Sequence, residues 1–373
     1  MEAGIRLRYR AATVVTWTVR EAAPEEYEAV RTRMWTILRE TEGQKAPGFG
    51  REFWEWQYVR NELPSVVVIG DDRGKICGYF HVLVFPARHG GRPTRGAMIQ
   101  DVASLPEYRK QGLLRAMDAE ARRLCEARGA EFILGFPNER SLRGFTGLGT
   151  YTIVARVPVY VRPLDTGRLL ASRVPLGPLA RVAGAVADPL YRALRVRSVP
   201  LRAGDRLVRL ERFEPDVDGV AADFAEPVTF NFVRSARYLQ WRFMEKPTRE
   251  YGAWGVRRDG RLVAYAVTRQ APLFGTTCVV LMDFGCRRGE EDTLLGLVAA
   301  RLGDERRAGA ALCVTMGLHP FFARLARLGF VRVPERLNPR LFHFMARGVT
   351  PAMGPELLQP DRWLVTLADW DVM

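Results

Sequence analysis

Hydrophobic and polar positions along the chain switch repeatedly between a two-residue and a 3.6-residue period, the pattern of a mixed α/β protein. Val14–Val19 alternates as a strand does, and Pro24–Arg39 has helical spacing with a proline near its start. Ser65–Ile69 and Ile76–Phe85 are β-rich runs joined by the polar turn Asp71, Asp72, Arg73 and Gly74. Ala97–Ser104 predicts another strand. Leu113–Arg128 predicts an amphipathic helix with Leu114, Met117, Ala121, Leu124 and Cys125 on one face. Glu131–Gly135 predicts the strand after it.

The second half repeats this order. Strands are expected near 251–257, 261–269 and 277–284, a helix near 291–307 and a strand near 311–315. Sequence matches support the same conclusion at an offset of about 180–186 residues. Phe53, Trp54, Glu55, Trp56, Gln57 and Tyr58 align with Tyr238, Leu239, Gln240, Trp241, Arg242 and Phe243. Gly74–Tyr79 aligns with Gly260–Tyr265, Ile99–Val102 with Leu281–Phe284, and Gly147–Tyr151 with Arg327–Val331. Four matches in one order at nearly one offset imply two copies of one unit of roughly 150 residues. The stretch 160–205 reads as a packed connector with a helix near 178–195.

Composition narrows the function classes. The 373 residues carry 56 basic and 42 acidic side chains, a formal net charge of +14. Four of the 56 are lysines and the rest arginines, spread along the whole chain with no basic run of the nucleic-acid-arm type. That spread fits arginine-rich codon usage, and no nucleic-acid partner is expected. The cysteines, Cys77, Cys125, Cys278, Cys286 and Cys313, make no CxxC pair, which suits a reducing cytoplasm and argues against a cysteine zinc site. No HExxH occurs and no metal is expected. No apolar run reaches the roughly 18 residues of a membrane span, so no membrane partner is expected. The first residues have no apolar leader core, and the expected location is cytoplasmic.

The chemistry concentrates in 101–115. A glycine between a strand and a helix lets backbone N–H groups approach a phosphate, and the helix N-terminus adds its positive dipole end. Arg109, Lys110 and Arg115 place charge around Gly112. This segment resembles the acetyl-CoA loop of the GCN5-related N-acetyltransferase (GNAT) superfamily, Arg/Gln-x-x-Gly-x-Gly/Ala. Arg109, Lys110, Gln111, Gly112, Leu113 and Leu114 match it at the first and fourth positions and depart at the sixth, Leu114. Downstream, Asn138, Ser141 and Phe145 resemble the family's Asn-x-x-Ala-x-x-x-Tyr element, with phenylalanine in place of the tyrosine that often protonates the leaving thiolate. The second copy has Glu290, Glu291 and Asp292 where the loop would be, acids that would repel a pyrophosphate.

The resemblance implies an α/β fold of two tandem GNAT-like domains, each a twisted, mostly antiparallel sheet flanked by helices. The expected division is 13–158 with the acyl-CoA site, a connector over 159–215, and a degenerate copy with a docked tail over 216–373. Splayed central strands would hold the pantetheine arm. Backbone N–H groups of Val102, Ala103 and Ser104 would face the acyl oxygen. The amine would attack directly once a carboxylate has taken its proton, and Asp101 is the carboxylate nearest the motif. Its counterpart Asp283 also permits a structural reading. Trp54 and Trp56 are candidates for the acceptor pocket as well as core aromatics. His81 is expected as a partly buried histidine with satisfied ring nitrogens. Glu52, Glu55, Asp369 and Asp371 are further carboxylates that could reach the acceptor. The implied activity is an acetyl-CoA-dependent N-acyltransferase acting on a primary amine of a small polar molecule, such as an amino sugar or natural-product precursor. A protein lysine or N-terminal acceptor, or a non-catalytic CoA-binding scaffold, are the alternatives.

Overall fold

A computed structural model describes residues 16–42, 50–172, 177–247, 250–338, 340–350 and 353–370. Val14, Val15 and Asp371 lie outside the described residues.

The first half runs β1 (Thr18–Glu21), α1 (Tyr27–Glu42), α2 (Arg51–Trp54), β2 (Val66–Asp72), β3 (Lys75–His89), β4 (Arg92–Ser104), α3 (Leu113–Ala127), β5 (Ala130–Gly135), α4 (Glu139–Leu148), β6 (Thr152–Arg156) and β7 (Val159–Pro163). The helical hairpin α5 (Thr166–Ala171) and α6 (Gly177–Arg195) follows. The second half runs β8 (Arg206–Arg209), α7 (Asp216–Ala225), β9 (Phe230–Phe232), α8 (Ala236–Leu239), β10 (Gly252–Arg258), β11 (Arg261–Leu273), β12 (Thr276–Cys286), α9 (Glu291–Arg307), β13 (Leu312–Met316), α10 (Phe321–Arg324), β14 (Val331–Arg332) and β15 (His343–Gly348). The periodic segments appear close to where the pattern places them, except that the first strand starts at Thr18 and runs to Glu21 instead of ending at Val19. Pro24 opens a 3-10 turn rather than the helix itself, which begins at Tyr27.

The two sheets are copies of one another with one strand exchanged. The first has the order β1-β2-β3-β4-β5-β15-β6, with β9 also pairing β3. The second has the order β8-β10-β11-β12-β13-β7-β14. In each, the sixth place is filled by a strand from the other half of the chain. β15 lies antiparallel to β5 and β6, and β7 antiparallel to β13 and β14. Only Val157 and Pro158 separate β6 from β7. Val157 donates to Phe342 and the carbonyl of Pro158 accepts from Gly317, so the chain crosses between sheets within two residues. Neither sheet is complete without the other, and the principal apolar core runs from Ala22 to Trp370 across both halves.

A local two-fold relation is visible where the halves meet. α2 continues as a π-helical turn at Glu55–Val59, and α8 does so at Gln240–Met244. Trp56 and Trp241 stack with ring centroids 4.7 Å apart and planes 10° from parallel. Each indole N–H donates to the other tryptophan's carbonyl, at 2.7 and 2.8 Å. The tail docks rather than extending away: Leu318 and Val365 exchange backbone bonds of 2.9 Å, and Trp370 stacks on Phe136.

Candidate active site

Two backbone devices shape the site. The register of β3 on β4 passes from Phe80↔Val102 to Val82↔Ile99, which makes a β-bulge at Gln100 and Asp101 opposite His81. The parallel pairing of β4 with β5 stops at Met98↔Leu134, while β4 continues to Ser104. The strands therefore diverge past Met98, and Val102, Ala103 and Ser104 lie on the stretch without a β5 partner.

At the end of that stretch the chain turns into α3. Pro106–Tyr108 forms a 3-10 turn, and Lys110 and Gly112 both take left-handed backbone angles, φ 61° and 88°. Successive turns of this kind point backbone N–H groups into a common concavity, the geometry of an anion nest. The turn is closed from behind by Gln111, whose Nε2 donates to the Glu107 carbonyl at 2.6 Å. Gly112 is the N-cap of α3, and a Cβ built on it would meet nothing within 4 Å. The space above the N-terminus is thus open, and any side chain at Gly112 would both strain the backbone and project into it. Arg109, Lys110 and Arg115 are exposed around the turn. The Arg109 guanidinium lies 3.4 Å from the Ser104 carbonyl. Arg115 reaches the carbonyls of Leu148 and Gly147 at the C-terminus of α4.

Other residues of the motif hold the scaffold. Leu113 is buried, so its side chain serves the core and its backbone faces the turn. Leu114, the departure from the signature, packs on α4 where Gly144 has no Cβ; a Cβ there would sit 3.1 Å from the Leu114 side chain. Asn138 caps α4, its Oδ1 accepting from the N–H groups of Arg140 and Ser141 at 3.0 and 2.9 Å. Ser141 donates back to the Asn138 carbonyl. Phe145 is buried edge-on against Phe80 and Tyr151. The Tyr151 hydroxyl donates to Asp118 at 2.7 Å, and burial pushes it far above the usual phenol range. No proton donor therefore stands in place of the family's tyrosine on this element.

Asp101 is half-buried at the bulge. Its Oδ2 accepts from the Tyr58 hydroxyl and, at 3.2 Å, from Gln57 Nε2. Spacing and motif do not mark these two residues as site residues. The available signal was the difference between copies, since Arg242 and Phe243 replace them. Trp54 is buried against Tyr27, Tyr58 and His81. Trp56 is stacked and hydrogen-bonded at the two-fold contact. Both indoles are core residues, and the geometry gives their π-faces to neighbouring rings rather than to an acceptor. A cavity of about 10 Å³, the size of one water, lies beside Trp56 between Gln57, Gln100, Trp241 and Trp370.

His81 differs from the expectation. It is fully buried, neither ring nitrogen has a hydrogen-bond partner, and it is caged by Trp54, Tyr58 and Tyr79 at 5.0 to 5.3 Å. Burial pushes its pKa down to about 3. Asp369 is also committed elsewhere: it is buried, bonded to Arg234 at 2.5 Å, and accepts from the Thr366 N–H.

In the second copy the equivalent groove is closed. Asp283 is buried and accepts from Tyr265 at 2.9 Å and from Thr366 of the tail at 2.7 Å. The start of α9 holds Glu290, bound by Arg258 at 2.7 Å, by Arg202 at 3.2 Å and by Thr293. Its own carboxylate occupies the surroundings of the helix N-terminus.

Residues 18–150 match the family model described as an acetyltransferase (GNAT) domain. This segment is a GNAT domain. Solved structures similar in fold include a GCN5-related N-acetyltransferase from Anabaena variabilis (TM-score 0.61, 12% identity, covering 90% of this chain and 73% of that one). A probable N-acyltransferase from Enterococcus faecalis gives a TM-score of 0.59 at 14% identity, with coverage of 90% and 73%. Saccharomyces cerevisiae N-myristoyltransferase with bound myristoyl-CoA and inhibitors gives 0.56 at 10% identity, with coverage of 91% and 82%. Comparison with curated proteins gives no significant match. The likeness to the solved structures spans both halves, so the fold shared with them is the two-sheet unit, of which the GNAT domain is the first half. Among the described residues no helix is long and apolar enough to cross a membrane.

Proposed function

We propose that the GNAT domain transfers an acyl group, acetyl first, from acyl-CoA to the primary amine of a small polar molecule. The observation that carries this is the open left-handed turn at Lys110 and Gly112, set at the N-terminus of α3 and beside the unpaired end of β4. A pyrophosphate fits it: N–H groups converge, no Cβ intrudes, and three exposed cations surround it. Bound there, the CoA thioester supplies the activated acyl group. The backbone of Val102–Ser104 has N–H groups available along the diverging strand edge to stabilise negative charge developing on the acyl oxygen. Asp101 takes the proton of the incoming ammonium, directly or through one water, with Tyr58 and Gln57 fixing its carboxylate. Asn138 and Ser141, which cap the start of α4, would contact the CoA, and the leaving thiolate takes its proton from solvent.

The test is ligand-dependent stability. Acetyl-CoA at a hundred times its Kd should stabilise the fold by about 2.7 kcal/mol. Gly112→Glu should abolish that increment, whereas Gly289→Ala, in the corresponding turn of the second copy, should leave it intact. No increment with acetyl-CoA or with longer acyl-CoAs would overturn the reading. A thiol-release assay across an amine panel then identifies the acceptor class.

A further inference from the structure

α6 is turned inside out with respect to a surface helix. Asp188 and Tyr191 face the protein. Asp188 Oδ1 accepts from the Thr166 N–H at 2.9 Å and from its hydroxyl at 2.8 Å, and the Tyr191 hydroxyl donates to the Gly329 carbonyl. Gly184 is pressed against Gly167, where a Cβ would lie 2.3 Å from the Gly167 Cα. The outer face is apolar. Between Val182 and Leu194 every exposed residue except Arg192 is an apolar one. Val182, Val186, Leu190 and Leu194, four residues apart, are 64, 66, 57 and 72% exposed. They form one stripe about 18 Å long on a convex helix. The other exposed large apolar residues are mostly scattered singly over the molecule, apart from Leu170 on the adjoining α5.

Charge decides what could cover this stripe. The segment 165–197 carries six arginines and two acids, Asp165, which caps α5 and pairs with Arg168, and Asp188, which is used internally. Two copies packed through α6 would bring two such basic hairpins together. An anionic surface complements both the stripe and its arginines, as in interfacial amphipathic helices. We propose that the α5–α6 hairpin docks on an anionic lipid bilayer, with the α6 stripe in the interface and the exposed Arg192 and Arg195 at the headgroups. The protein would lie on the membrane rather than span it. This departs from the expectation of no membrane partner, which rested on the lack of a spanning segment. It does not depend on the proposed acyl transfer.

The experiment is co-sedimentation of the full chain with phosphatidylcholine vesicles, with and without phosphatidylserine. Binding should require phosphatidylserine and weaken as salt rises. The double variant V186D/L190D changes only exposed positions, so its circular dichroism and Tm should match the parent while its partitioning falls roughly tenfold or more. R192E should also weaken binding to phosphatidylserine vesicles. Three results would overturn the proposal: no sedimentation with anionic vesicles at low salt, unchanged sedimentation of V186D/L190D, or a parent dimer in solution that this variant converts to a monomer.

Discussion

Asp101 and Asp283 stand at the same place in two copies of one sheet, each at a β-bulge, yet they live in different chemistry. Asp101 is half-buried and held by two neutral donors, Tyr58 and Gln57. Asp283 is sealed in, with burial raising its pKa against the pull of Arg234 3.6 Å away, and with Thr366 of the tail bonded to it. The helix beyond each bulge shows the same contrast. α3 begins at a bare glycine among exposed cations; α9 begins at an acid already bound by two arginines. The fold supplies a groove twice, and the chain's own tail and Glu290 fill the second one. In the first groove the exposed Arg109 and Arg115 touch only backbone carbonyls, whereas in the second the acid at the helix start is tied up by arginines of the protein itself.

The sharpest way to break this comparison is to open the second groove. Asp369→Ala leaves buried Arg234 with only the more distant Asp283, 3.6 Å away, as its acid, and the loss should be about 3 kcal/mol, the low end for breaking a buried pair. Urea unfolding should show a loss of that size, and a loss below about 1 kcal/mol would mean the tail is not a structural plug. Next is Asp101→Asn, which should leave the urea midpoint nearly unchanged but lower kcat roughly a hundredfold or more. Unchanged turnover would remove Asp101 from the proposed role. The smallest effect concerns pH. His81, pushed down to about 3, is neutral in the fold; unfolded, with its ordinary value near 6.5, it takes up a proton as pH falls. The unfolded state then binds more protons, so His81 removes about 2 kcal/mol of stability between pH 7 and pH 5. His81→Leu should remove that share of the slope. His319 in the second half, pushed down to about 4 by burial, should keep its own share. A slope unchanged in His81→Leu would show that the cage admits a charged imidazole.

Much of this was legible because it is local. The α3 face at Met117, Ala121, Leu124 and Cys125, the strands on either side and the glycine turn between them follow from spacing and backbone conformation within a few residues. So did the contrast between the cationic loop of the first copy and the acidic one of the second. Tyr58 and Gln57 were not legible as site residues, because nothing near them in sequence reveals that a π-helical turn delivers them to a bulge more than forty positions away. His81 misled for a related reason: a β-rich run shows that a histidine is in a strand, but the three aromatic side chains that cage it come from α2, its π-helical extension and β3.

By itself, the sequence determined the repeat, the order of strands and helices in each half, the glycine turn before α3 and which half carries it. Only the tertiary structure decided that β7 and β15 change sheets, that the tail seals the second groove, and that α6 shows its apolar side to solvent. A strand's alternation specifies which face is buried but not which neighbour supplies the hydrogen bonds. Two sheets of the same design offer β7 and β15 equivalent edges, and with only Val157 and Pro158 between β6 and β7, the choice rests on how the two halves pack.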